Sequence, residues 1–160
     1  MTLRIIALAA LSLATAASPA VASADTAGWC SSRDLRITVG EGRAPVASDR
    51  LFAIHLRAAG PGPCTIRGLL SEVRFLRGDT ELDVPIAGGQ PQQWPELITV
   101  DGDHEAVVYM SAPKKAVPQP VDHIRFILPG DGTSGDTVKI AWPSPVGGPV
   151  KFGIIMSPVS

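Results

Sequence analysis

Arg50-Leu51-Phe52-Ala53-Ile54-His55-Leu56-Arg57-Ala58 is the stretch on which the reading of this chain turns. Phe52, Ile54, Leu56 and Ala58 fall on one side of a period of two, and His55 and Arg57 fall on the other. That is the pattern of a strand with one buried and one wet face. Gly60-Pro61-Gly62-Pro63 follows and forces a turn, because proline has no amide hydrogen for a ladder and glycine frees the backbone. Upstream, Leu35-Arg36-Ile37-Thr38-Val39 alternates in the same way and is closed by Gly40-Glu41-Gly42.

The same punctuation runs through the rest of the sequence. Strands are expected at 64–67, 72–76, 82–84, 97–100, 106–110, 123–128, 138–142 and 150–156. Turns are expected at Arg77-Gly78-Asp79, Asp101-Gly102-Asp103 and Pro129–Gly135. Pro85 marks an edge strand or a strand end after Val84. Residues 87–95 (AGGQPQQWP) read as a loop, with room for a short helical turn over 90–96. About nine short strands at this spacing, with no helical period after the leader, predict an all-β, antiparallel sandwich of about seven to nine strands.

Composition agrees with a folded chain. At 45% hydrophobic and 18% charged, the 160 residues carry too much apolar surface for a disordered tail. Lys+Arg 14 against Asp+Glu 15 leaves a net charge of −1 with no basic block, so no nucleic-acid partner is expected. The first 24 residues read as a cleaved signal peptide: Arg4, an apolar run over Ile5–Ala17, then Ala22-Ser23-Ala24 as the cleavage motif. That run is shorter than the roughly 20 residues a membrane span needs. The expected mature chain is a single secreted domain over residues 25–160 with no membrane span. An exported chain with just two cysteines most simply pairs them, so Cys30 and Cys64 are expected to form a disulfide. No C-x-x-C spacing suggests a redox or metal pair.

Cys30, the two strands after it, and Pro63-Cys64-Thr65-Ile66-Arg67-Gly68 resemble a family of secreted actinobacterial domains of unknown function, number 4232. Its pattern is an N-terminal Cys, two strands, a P-C-T motif ending in Gly, and then a strand and hairpin, here Val73–Gly78. Leu97–Val100 and Ala106–Met110 match its later strands in order. The sequence departs from it at Ala58–Ala59 and Leu70, where the family often has Asn and Pro. The resemblance implies an immunoglobulin-like sandwich bridged by the cysteine pair, and it implies no activity.

Candidate sites are few. Asp101, Asp103 and Glu105 place oxygens at alternating positions, as a Ca²⁺ loop would, but the EF-hand spacing is missing. Turn geometry explains Asp and Gly there without a cation, so neither metal nor cofactor is assigned. His55, His104, His123, Met110 and Met156 are soft enough for copper, yet their spacing suits none of the usual H-x-M arrangements. His55 and His123 are expected on solvent faces and the two methionines in the core. Ser71 lies outside a G-x-S-x-G elbow, and Glu81 and Asp83 form an ordinary acidic alternation, so no catalytic residue is assigned. Trp94, in the 90–96 loop, is the candidate contact residue, because exposed Trp is enriched at interfaces. Trp29 is expected beside the disulfide and Trp142 in a strand. Lys114-Lys115 is too small a patch for a membrane or nucleic acid.

The sequence thus predicts a secreted, non-catalytic, monomeric module that binds an unidentified protein or envelope component. The alternatives are an extracellular Ca²⁺ or copper protein using the Asp101–Glu105 turn and, further off, an exported hydrolase.

Overall fold

The computed structural model describes residues 27–88 and 95–159. The leader expected at residues 1–24, and Trp94 with most of its proposed helical turn, lie outside the described residues. Eleven strands follow one another: β1 (Gly28–Trp29), β2 (Leu35–Gly42), β3 (Asp49–Ala58), β4 (Cys64–Ile66), β5 (Ser71–Arg77), β6 (Thr80–Leu82), β7 (Ile98–Val100), β8 (Ala106–Pro113), β9 (His123–Pro129), β10 (Ser134–Ala141) and β11 (Lys151–Met156). The described residues contain no helix.

Two four-stranded antiparallel sheets, ordered β11-β8-β3-β2 and β10-β9-β5-β6, form the body. Lettering β2, β3, β5, β6, β8, β9 and β10 as A, B, C, C′, E, F and G gives A-B-E in one sheet and G-F-C-C′ in the other. That is the strand order of an immunoglobulin sandwich. The last strand, β11, takes the place beside β8 where strand D would be expected. A small third sheet, β1-β4-β7, closes one end, and its β1–β4 pairing is parallel.

The period-two reading of β3 holds: Phe52, Ile54 and Leu56 are 0% exposed. They face Phe75, Ile124, Phe126 and Ile155 from the other strands in one core. Phe75 of β5 lies 6.3 Å, centroid to centroid, from Phe152 of β11, so the aromatic rings join the two sheets. No polar or charged residue among those described is fully buried. The core therefore rests on apolar area, worth roughly 25 cal/mol per Å² removed from water.

Cys30 and Cys64 are bonded, with Cα atoms 4.9 Å apart, and both are buried. Gly28 pairs with Cys64 and the Cys30 amide donates to the Thr65 carbonyl, so the bridge joins neighbouring strands of the small sheet. Trp29 directly precedes Cys30 in the chain, and its Nε1–H donates to the Pro129 carbonyl at 2.6 Å, fastening β1 to the end of β9.

Three local expectations need correction. Trp142 lies one residue past the end of β10: its amide donates to the Asp122 carbonyl, one pair beyond the last strand pair of Ala141 with His123. The strand expected at 82–84 runs over Thr80–Leu82, because the Val84 amide turns back to the Leu82 carbonyl and Pro85 has no amide to extend the pairing. Glu81 and Asp83 consequently do not share a strand face. No helix of the described residues is long and apolar enough to cross a membrane.

Candidate functional site

The β7–β8 turn is held by the side chain of its first residue. Asp101 Oδ1 accepts the backbone amides of Asp103 and His104, each at 2.8 Å, and His104 Nδ1 lies 2.9 Å away. The Asp103 amide, with the His104 ring next, holds the Asp101 carboxyl below the usual carboxylate range. Asp101 is thus at this turn for its backbone geometry, as an Asx turn requires.

Glu105 serves a different task. The β3–β8 register sets His55 opposite Val107, which brings Glu105 beside the outer face of β3. Its Oε1 lies 3.1 Å from His55 Nδ1, and its Oε2 accepts from Arg57 Nε. The Arg57 guanidinium, and after it the His55 ring, draw the Glu105 carboxyl below its ordinary value. Asp101 and Glu105 therefore spend their oxygens on separate partners. No three His, Cys, Asp or Glu side chains among the described residues converge where they could hold a metal ion.

The other candidates are scattered. His55 and Met156 lie in one row across the outer face of their sheet with Val107 between them, while Met110 is fully buried in the core. His104 is at the turn, and His123 is half-buried on the other sheet. Ser71 is exposed at the start of β5. Glu81 pairs with Arg74 and Arg125. Lys114 Nζ donates to the Ala47 carbonyl at 2.7 Å, and Lys115 is exposed.

Beside the turn, the surface opens into a groove of about 910 Å³ lined by Arg57, Glu96, Leu97, Asp103, His104 and Ser157 among others. Leu97 is 54% exposed, and neither Glu96 nor Asp103 forms an ion pair among the described residues. Arg57 and Glu105, of the His55–Glu105–Arg57 cluster, form one wall. Sequence reading missed the cluster because it depends on β3 pairing with a strand fifty residues away. Its only local signal is that His55 and Arg57 share the polar face of β3.

The two lowered carboxylates fix a pH dependence. A folded-state value below the unfolded one contributes stability above the ordinary carboxylate range, about pH 4, and loses it as pH falls through the lowered value. Glu105→Gln removes one such group and, at neutral pH, costs at most about 1 kcal/mol, the scale of a partly exposed pair. Urea midpoints of wild type and variant differ at pH 7, and the gap narrows as pH falls below the ordinary carboxylate range. A gap that does not narrow on acidification would contradict the ion-pair assignment.

No curated protein and no solved structure matches this chain. One family model does match, over residues 30–153, from the first cysteine into β11. The chain belongs to the family described as Domain of unknown function (DUF4232).

Proposed function

We propose that this chain is an exported, non-catalytic binding module that engages a protein or envelope component through the groove beside the β7–β8 turn. One observation carries the reading. The groove places an exposed Leu97 among charges of which Glu96 and Asp103 have no ion-pair partner among the described residues. A large apolar side chain ringed by uncommitted polar groups is the composition of a recognition surface. Export is supported by the Cys30–Cys64 bridge, which persists in oxidising compartments, and by the leader-like residues 1–24. The non-catalytic reading is supported by the distribution of side chains: His55 is engaged by Glu105, and Ser71 lies on the other sheet.

Photo-crosslinking of the mature domain to envelope preparations of the secreting cell tests the groove. The wild-type protein is expected to give discrete adducts, and Leu97→Asp to lose most of them while melting as the wild type does. Trp94→Ala, three positions before Leu97 in the sequence, is expected to weaken the same adducts. An unchanged adduct pattern for Leu97→Asp overturns the reading.

A further inference from the structure

The outer face of the second sheet carries three cations side by side. Arg74 of β5 pairs directly across from Arg125 of β9, and Arg125 pairs directly across from Lys139 of β10. Each is flanked in sequence by side chains that enter the core, so all three point outward. With strands about 4.8 Å apart, the row spans roughly 10 Å. Like charges placed directly opposite one another in a sheet are destabilising. Glu81 serves both arginines, and Asp79 reaches Lys139 at 2.9 Å. The Asp79 side chain is 98% exposed, so water screens that pair and leaves Lys139 available to a competitor. Three cations against two carboxylates leave the row positive on a chain whose net charge is −1.

We propose that this row docks a linear phosphate polymer laid across β5, β9 and β10. Arginine forks grip phosphate oxygens bidentately and lysine meets them as a point charge, so a mixed Arg-Arg-Lys line suits successive phosphates. The occupant is a chain of charges and not a single ion, because the cations are spread along a line across three strands. A negatively charged protein has no general attraction for a polyanion, so binding, where it occurs, is local to the row. This surface lies on a different sheet from the Arg57–Glu105 wall of the groove, and it stands or falls separately from the groove reading.

Inorganic polyphosphate is the probe, with binding followed by co-sedimentation or calorimetry from about 50 mM salt upward. The wild-type chain binds, and the logarithm of its affinity falls linearly with the logarithm of salt. Arg125→Gln, at the centre of the row, weakens binding by at least about tenfold at low salt and lowers the salt slope by about 1. Lys139→Gln, at an exposed position, does the same to a lesser degree and carries the test if Arg125→Gln melts early. Glu81→Gln tightens binding because it releases Arg74 and Arg125, a sign that a merely structural role for Glu81 does not produce. Arg36→Gln, on the opposite sheet, leaves binding unchanged. The proposal is overturned if the wild type does not bind, if Arg125→Gln and Lys139→Gln bind as the wild type does, or if Glu81→Gln binds more weakly. It is equally overturned if Arg36→Gln weakens binding as much as Arg125→Gln, or if a polyuronate of matched charge density binds as tightly as polyphosphate.

Discussion

Cys30→Ala combined with Cys64→Ala is expected to lower the free energy of unfolding by about 3–4 kcal/mol, the chain-entropy value for a cross-link between residues 34 apart. The bridge encloses the whole β2–β3 hairpin, so its loss frees that hairpin from β1 and β4 in the unfolded ensemble. Folded contacts suffer too. Apart from its link to Cys64, β1 is held by two residue pairs with β4, the Cys30 amide and the Trp29 indole bond to Pro129. Amide exchange at Trp29 and Cys30 should therefore accelerate before that of β3 or β8, which lie inside their sheet with partners on both sides. Urea denaturation of both proteins measures the global term. An equal midpoint for the double variant would show that the bridge contributes nothing beyond the apolar packing of its sulfurs. Intact mass before and after reduction with alkylation confirms that the chain carries the bond.

How much of this was legible in the sequence depends on the distance over which each feature is determined. The buried face of β3 is local: Phe52, Ile54 and Leu56 declare it by spacing alone, and the structure buries all three completely. The turns at Gly60–Pro63 and Asp101–Asp103 are local as well. Sheet order is not. Nothing within Lys151–Met156 states that it lies beside β8 and not beside β10, the strand before it. Two-residue β1 has no period to read. Val107 shows a related limit: it falls on the outward row of β8, yet it is 0% exposed because β8 is a central strand with His55 and Met156 on either side. The candidate site divides in the same way. Asp101 and its turn were readable as turn chemistry, whereas the Glu105–His55–Arg57 cluster exists only once β3 and β8 are paired.

Trp142→Ala is the second large effect, expected at about 3–5 kcal/mol, the usual cost of emptying a buried aromatic site. The residue is 5% exposed and wedged between the sheets. Its ring lies 4.8 Å from Phe52 of β3 and 5.4 Å from Phe75 of β5, the latter edge-on at 86°. Removing it unsupports a ring on each sheet at once. The amide of Trp142 is bonded to Asp122 and survives any side-chain change, so the effect belongs to packing. The indole Nε1 is buried with no hydrogen-bond partner among the described residues. An unpaired buried donor costs stability where it stands, so Trp142→Phe keeps much of the apolar contact while removing that cost. The expected order is therefore wild type close to Trp142→Phe, with Trp142→Ala far below both. Phe75→Ala combined with Trp142→Ala should cost less than the sum of the single changes, because each ring supports the other. A Trp142→Phe loss as large as that of Trp142→Ala would mean that the indole nitrogen has an essential acceptor, and that the site is held by a polar bond instead of by the aromatic contact between sheets.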